Sequence, residues 1–365
     1  MKYLKDIEKE MRLDGVRVLV RLDLNVPVKD GIVVDDYRIR KTIPTINFLK
    51  ERGAKIILLS HIETKEEKST LEPVAFHFKR LGVDCSFIKN YKSALEEIEK
   101  MGRGDVVLLE NLRNHKGEIE NSSAFAMELA SLGDIYVNEA FAVSHREHAS
   151  VSAITEFLDS YTGLLFDMEI KNLSSAFHPD HPFLFILGGA KFETKLPLIE
   201  KFINIADKVF VAGALANDFF KAMGKDVGKS VVSGKDFQLS RFIGNPKLLL
   251  PVDTVVSDGI IYDIGEKSMK ILSEEVEKAK YILWNGPLGT YEQGFREPTH
   301  DLARMIARAT SQGTKSILGG GDTLATIADV KLEDQFTFVS TGGGAMLEFL
   351  AKGTLPGIEA LERGE

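Results

Sequence analysis

Eleven short apolar runs rich in β-branched residues, separated by amphipathic stretches, constrain this fold more than any other feature of the chain. The first half holds "VRVLV" (16–20), "KIILL" (55–59), "DCSFI" (84–88), "VVLLE" (106–110) and "IYVNEA" (135–140). The second holds "FLFIL" (183–187), "KVFVA" (208–212), "KLLLP" (247–251), "YILWN" (281–285), "SILGG" (316–320) and "FTFVS" (336–340). Continuous apolar runs are the mark of strands buried on both faces, and helical patterns between them, such as Arg40 to Glu51 and Ala94 to Met101, predict βαβ units with parallel sheets. Eleven strands are too many for one ordinary sheet. An α/β architecture of two Rossmann-like, doubly wound lobes is expected, and a length of 365 residues accommodates it. The boundary falls near "HPDHP" (178–182), whose prolines stop helical continuation, and "GLLFDMEIKNLSSAF" (163–177) reads as a connecting helix. This gives lobes over 1–162 and 178–349, facing each other across a ligand cleft.

Composition removes several function classes. A net charge of -8 argues against a general nucleic-acid binder, so any positive charge that matters is concentrated locally. Cys85 is the only cysteine, which excludes an internal disulfide and a thiolate metal cluster, and a reducing compartment fits. It sits in an apolar strand and is expected to be inert core. The N-terminal segment lacks the apolar stretch of a signal peptide, and no run approaches membrane-spanning length. A cytoplasmic protein, without membrane or nucleic-acid partners, is expected, with a monomer as the simplest state.

In open α/β sheets ligands lie beyond the carboxyl ends of the strands. The second half places three glycine-rich turns there: "LGGAKFETK" (187–195), "LGGGDTLATI" (318–327) and "STGGGAMLEFL" (340–350). Glycine lets the backbone approach a phosphate, and the helix that follows presents free N–H groups to the anion. One such turn commonly serves only packing; three in one lobe predict a nucleotide site. The P-loop signature is missing, since "GKDVGKS" (224–230) is one residue short between its glycines, and no G-x-G-x-x-G follows the first strand of either half. A dinucleotide-dependent dehydrogenase is therefore disfavoured.

The first half places cations at successive strand ends: Arg21, Arg38, His61, Arg113, and His145, Arg146 and His148 within "SHREHAS". Each alone would be a solvated surface residue. Their recurrence predicts a pocket for a small, multiply charged anion. His145 and His148 have no carboxylate or cysteine cluster to complete a zinc set, so anion contact or packing is expected of them. At "RLDLNVPV" (21–28), continuation of the strand would put Arg21, Asp23 and Asn25 on one face. His178 and His181 flank a turn, and Trp284 is expected to pack rather than stack on a base.

Taken together, "RLDLNVPV", "RIRKTIPTINFL", "LLSH", "ENLR", "SHREHAS", "GGAKFETKL", "LPVD", "WNGPLGTYE", "GGGDTLATI" and "STGGGAMLEFL…LPGI" resemble, in order, the segments of the phosphoglycerate kinase family. The resemblance implies that the first lobe binds 3-phosphoglycerate and the second Mg-ATP or Mg-ADP. It also implies that residues 350–365 return to the first lobe. By similarity, Asp23 and Asn25 contact the glycerate with Arg21 beside them. Arg38, His61, Arg113 and Arg146 complete the substrate site, the last two as forks on the non-transferred phosphate. Lys195 and Arg38 would stabilise the moving phosphoryl group, with donors from Gly343 and Gly344 at a helix N-terminus. Lys191, Gly213, Glu292, Gly320, Gly321, Asp322 and Thr323 would complete the nucleotide site, with Glu292 on the ribose, Gly213 along the adenine slot and Asp322 as the Mg2+ ligand. The acceptor is a carboxylate, already ionised at neutral pH, so no general base is needed and catalysis rests on positioning and charge.

The chain departs from the family in places. Thr64, in "HIETK" (61–65), stands where the family carries an arginine for the substrate phosphate, with Lys65 next to it and "KEEK" (65–68) largely self-neutralising. "FAVSHR" (141–146) and "ALANDF" (214–219) also differ from the usual segments, and the second lobe is trimmed between "LPVD" and "WNGP". A non-catalytic nucleotide binder on the same fold is the competing reading, and retention of Lys195, Arg38 and Asp322 argues against it.

Overall fold

The computed structural model describes residues 1–63 and 69–363. Thr64 and the rest of the "KEEK" stretch lie outside the described residues. The chain forms two compact units, Met1–Lys171 together with the stretch from Thr354 onward, and Asn172–Gly353.

The first unit carries β1 (Lys2–Tyr3), β2 (Arg17–Arg21), β3 (Val28–Lys29), β4 (Ile32–Val33), β5 (Lys55–Leu59), β6 (Cys85–Ile88), β7 (Val106–Leu109), β8 (Ile135–Asn138) and β9 (Ser160–Thr162). Seven of them form one sheet in the order β1-β9-β8-β2-β5-β7-β6, with every pairing parallel. β2 lies between β5, in register Val18↔Ile56, and β8, in register Val18↔Ile135. The chain winds one way from β2 and the other way to β8, so the switch point lies at the carboxyl end of β2. The side chains of β2, β5 and β8 are almost all fully buried, as helices on both faces require.

The second unit carries β10 (Phe183–Leu187), β11 (Lys208–Val211), β12 (Leu248–Leu249), β13 (Thr254–Ser257), β14 (Ile260–Ile264), β15 (Tyr281–Asn285), β16 (Lys315–Gly319) and β17 (Phe338–Ser340). Six form a parallel sheet, β12-β11-β10-β15-β16-β17. Its switch point lies between β10 and β15, paired through Phe183↔Tyr281 to Leu187↔Asn285. Trp284 is buried in β15 and donates its indole N–H to the Gly286 carbonyl, a packing role.

All eleven predicted runs are strands. The short strands β1 and β9 at one side of the sheet and two antiparallel hairpins, β3–β4 and β13–β14, were not expected. Both hairpins turn on Asp-Gly with positive φ, 52° and 73° at Asp30-Gly31 and 50° and 77° at Asp258-Gly259. That is the two-residue turn whose twist suits a hairpin, and its Asp-Gly signature was present in the sequence. Two expectations need correction. The helix predicted from Arg40 begins at Tyr37 and runs to Glu51. β2 stops at Arg21, so Arg21, Asp23 and Asn25 do not share a strand face.

The helix Leu164–Ser174 is followed by a 3-10 turn, Ser175–Phe177. Its start is fixed by Glu139, whose carboxylate accepts from the Leu165 and Phe166 N–H groups, both at 3.0 Å. At the other end of the chain, the helix Pro356–Arg363 packs in the first unit, where Gly357 N–H donates to the Ser144 carbonyl at 2.8 Å. A Cβ at Gly357 would lie 2.7 Å from the Ser144 side chain, so the close approach needs glycine. Among the described residues no helix is long and apolar enough to cross a membrane.

Candidate active site

In the first unit, Arg21, Asp23, Asn25, Arg38, His61, Arg113 and Arg146 all lie at or just beyond the carboxyl ends of β2, β5, β7 and β8 or at the start of the helix Tyr37–Glu51. They are not equivalent. Arg21 is 0% exposed and its guanidinium is committed inward. It donates to the Leu22 carbonyl and, at 2.8 Å, to Ser150 Oγ, and it lies 3.2 Å from His61 Nδ1. Ser150 Oγ in turn donates to Glu118 Oε1 at 2.6 Å, and Glu118 is itself fully buried. A buried cation without a counter-charge would be strongly destabilising; the Arg21–Ser150–Glu118 chain supplies one. Arg21 thus positions its neighbours, and no sequence signal singled out Glu118 or Ser150.

Beyond β2 the backbone is held by Ser60, whose hydroxyl accepts from Leu24 N–H at 3.0 Å and donates to the Leu22 carbonyl at 2.8 Å. This tether sets Asp23, which accepts from Arg38 at 2.9 Å through one oxygen and from Asn25 N–H at 3.2 Å through the other. Arg38 also donates to the Asn25 carbonyl at 3.1 Å. The Asn25 side-chain oxygen accepts from Glu63 N–H at 3.0 Å.

His61 is buried and its pKa is pushed far down, first by burial and then by Arg21, Arg113 and Arg146, so the ring is neutral. Arg113 is pushed down to about 10 by burial and by the cations Arg146 and Arg21, and it remains charged at neutral pH. Its Nε is buried without a hydrogen-bond partner among the described residues, while another of its nitrogens meets Glu63. Arg146 is exposed. The result is a basin where positive charges crowd one another, a state an anion relieves. His148 lies 3.8 Å from Glu118 and His145 is 3.4 Å from Arg146, and neither belongs to a group of three or more potential metal ligands among the described residues.

The second unit offers backbone groups where the first offers side chains. Lys191, Gly213, Gly320 and Gly343 each immediately precede a helix, respectively Phe192–Ile205, Ala214–Ala222, Gly321–Asp329 and Gly344–Lys352. These helices follow β10, β11, β16 and β17, so four N-termini stand at the carboxyl edge of one sheet. Gly213 has φ 63°, and a Cβ there would lie 2.7 Å from the Gly189 nitrogen. Lys195 returns from the first turn of its helix to the β10 turn, where its ammonium donates to the Gly188 carbonyl. A Cβ at Gly189 would lie 2.8 Å from Lys195 Nζ and one at Gly286 3.0 Å, so two glycine turns make its cradle. Burial pushes Lys195 down to about 8, against the pull of the Asp322 carboxylate.

Asp322 and Gly321 are exposed at the start of the helix after β16, while Thr323 is buried and accepts from Gly286 N–H at 2.8 Å. Gly344 opens the last of the four helices and is exposed. Glu292 is exposed in the 3-10 turn Tyr291–Gln293. A cavity of about 180 Å3 adjoins Gly213 and Leu288 and is lined also by Asn217 and Asp263, two buried polar residues that the sequence reading did not select. Burial pushes the Asp263 carboxyl up to about 7.

The family model described as phosphoglycerate kinase matches residues 8–353. The chain is 40% identical to phosphoglycerate kinase of Dictyoglomus turgidum, with 99% of each chain covered, and 38% identical to that of Fervidobacterium nodosum, with 97% of each covered. Among solved structures it is similar to phosphoglycerate kinase from Pyrococcus horikoshii, with a TM-score of 0.87, 31% identity and coverage of 100% of this chain and 99% of that one. The enzyme from Coxiella burnetii gives a TM-score of 0.83 at 34% identity, covering 98% and 99%. A switch-point basin of arginines on one parallel sheet, a glycine-lined lysine on another, and these matches along the whole chain lead to one assignment: the chain belongs to the phosphoglycerate kinase family.

Proposed function

We propose how this chain divides the work of its family's reaction, the reversible transfer of a phosphoryl group between 1,3-bisphosphoglycerate with ADP and 3-phosphoglycerate with ATP, a step of glycolysis and gluconeogenesis. The first unit takes the glycerate and the second the nucleotide. The observation that carries this division is the contrast between a side-chain cation basin at one switch point and four helix N-termini at the other.

In the first unit, Arg113 and Arg146 bind the phosphate that does not move, with Arg113 Nε awaiting a partner. Asp23 and Asn25 orient the hydroxyl and carboxyl end, and neutral His61 lines the floor above buried Arg21. Arg38, already aligned by Asp23, presents its remaining donors to the transferred group.

In the second unit, Lys195 meets the same group, its charge concentrated by burial, and Lys191 attracts the nucleotide phosphates. Gly320, Gly321, Thr323, Gly343 and Gly344 give close backbone approach and free N–H groups. Gly213 lines the base slot and Glu292 takes the ribose. The acceptor carboxylate is already ionised, so no residue need remove a proton.

Asp322 suits Mg2+. It is one hard oxygen donor beside the phosphate turns, and Mg2+ is commonly held by one or two carboxylates with phosphate oxygens and waters rather than by a protein cage. Accordingly no group of three or more potential ligands is required, and none occurs among the described residues. When bound, Mg2+ neutralises charge on the nucleotide phosphates. Cytoplasmic location and a monomeric state belong to this reading, and the net charge of -8 and the single reduced-type cysteine support it.

The test is to incubate the protein with Mg-ATP and 3-phosphoglycerate and trap the acyl phosphate with hydroxylamine. Hydroxamate formed only when all three are present supports the reading. ATP hydrolysis without hydroxamate, or no turnover, would sink it.

A further inference from the structure

We infer that Tyr291 and Asp329 are positioning residues for the nucleotide's ribose, fixing the turn that carries Glu292 to the helix that carries Asp322. The inference rests on the proposed place of Glu292 at the ribose. It adds two residues that act through Glu292 rather than on the substrate.

Glu292 is the middle residue of the 3-10 turn Tyr291–Gln293 and is exposed. Three residues bury too little to hold such a turn in place by themselves. The residue before Glu292 supplies the anchor. Tyr291 is buried, and its hydroxyl donates to Asp329 Oδ2. A carboxylate can only accept, so the phenol oxygen is left to accept from Nε2–H of His300, at 3.1 Å. Burial, and then Asp329, push the phenol up to about 12, so it keeps the proton it donates. Arg296 closes the arrangement. Its Nε donates to the Tyr291 carbonyl at 3.2 Å and its Nη1 to Asp329 at 3.3 Å. The same guanidinium lies 4.8 Å from the centre of the Tyr291 ring.

Asp329 is the last residue of the helix Gly321–Asp329, whose first turn holds Asp322 and Thr323. Thr323 accepts from Gly286 N–H at 2.8 Å. The segment 286–291 is therefore tied to one helix twice, near its start and at its end. Thr323 and Asp329 are about 9 Å apart along the helix axis at the usual rise per residue. A rigid helix thus sets the spacing between the proposed phosphate turn and the proposed ribose turn, a spacing that the nucleotide's own bonds also fix. Holding the Glu292 turn at that spacing beforehand spares binding the cost of ordering it.

Titration calorimetry of the full chain with Mg2+ and either ADP or 2′,3′-dideoxy-ADP tests this. The two nucleotides share base and phosphates and differ only in the ribose hydroxyls that a carboxylate would accept from. Wild type should bind ADP at least about tenfold tighter, the difference expected for a charged hydrogen bond. Tyr291→Phe removes the hydroxyl alone and should cut that ratio to about threefold or less, weakening ADP while the dideoxy nucleotide stays within about twofold of its wild-type affinity. Asp329→Ala, at an exposed position, should have the same effect without disturbing the interior. Asp329→Asn keeps an acceptor for the phenol and should restore most of the ratio. Adding Tyr291→Phe to Glu292→Gln should weaken ADP no further than Glu292→Gln alone, because one residue acts through the other. A full ratio retained in folded Tyr291→Phe or Asp329→Ala overturns the inference. So does equal weakening of both nucleotides, which would mean a general loosening of the unit. Equal wild-type affinity for the two nucleotides would instead remove the ribose assignment of Glu292 on which the inference rests.

Discussion

The two switch points are built from different materials. In the first unit charge comes from side chains, and the unit must manage it internally: Arg21 is balanced by Glu118 through Ser150, Arg38 by Asp23, and Arg113 partly by Glu63. In the second unit four helix starts offer backbone N–H groups, and among the described residues one cation, Lys195, is taken into the interior. A small anion of fixed shape can be gripped by forks set in a rigid frame. A polyphosphate tail needs many weak donors at close range, which glycine and helix termini provide. Folding and function are therefore entangled in the first unit and more separable in the second.

The comparison can be broken most forcefully at Lys195. If it acts on the moving phosphoryl group, Lys195→Ala should lower kcat at least about 100-fold, as should Arg38→Ala from the other unit. Thermal stability should hold in Lys195→Ala, because removing a buried ammonium also removes its desolvation cost. Steady-state kinetics beside a melting curve checks both halves; near-normal kcat in either variant refutes that residue's role.

Glu118 should behave in the opposite way. Glu118→Gln leaves Arg21 buried without its counter-charge, so unfolding free energy should fall by roughly 3 kcal/mol. Chemical denaturation reads this, and an unchanged midpoint would mean that Arg21 is not held by that carboxylate.

Asp263 sharpens the contrast through pH. Burial raises its carboxyl from the ordinary aspartate value of 3.8 to about 7, so between about pH 4 and 7 the folded state binds the extra proton. Its contribution to stability is therefore greatest at low pH and declines as pH rises through that window, by on the order of a few kcal/mol. Asp263→Asn should flatten that part of the stability profile. An identical profile in the variant would show that Asp263 does not titrate so high.

How far the sequence discloses all this depends on the kind of feature. Strands buried on both faces announce themselves, which is why Lys55–Leu59, Phe183–Leu187 and Tyr281–Asn285 match their apolar runs residue for residue. The strands Lys2–Tyr3 and Ser160–Thr162 are too short to show a period. Candidate site residues on strand ends and glycine turns were legible because their types are chemical. Their partners were not: Glu118 is 32 residues from Ser150 and 97 from Arg21, and only the fold joins them. Asn217 and Asp263 look like ordinary polar residues until burial leaves one oxygen of each unpaired. Arg21 carries the same lesson: its charge is plain in the sequence, while its burial against Ser150 and His61 appears only in the fold.

The smallest effect is expected at Thr64. A hydroxyl offers one neutral hydrogen bond where an arginine offers a charged fork, so Thr64→Arg should tighten 3-phosphoglycerate binding about tenfold with little change in kcat. Lys65→Ala is the control. If it abolishes glycerate binding while Thr64→Arg adds nothing, Lys65 already fills that place and the first unit's basin is complete as it stands.

The central claim is that each unit holds its own ligand, and calorimetric titration with one ligand at a time tests it most directly. Arg113→Ala should lose most 3-phosphoglycerate binding and keep wild-type affinity for Mg-ADP. Asp322→Asn should weaken Mg-ADP binding and keep wild-type affinity for 3-phosphoglycerate. Loss of both ligands in either folded variant, or the reverse pattern, would contradict the division of labour proposed for the two sheets.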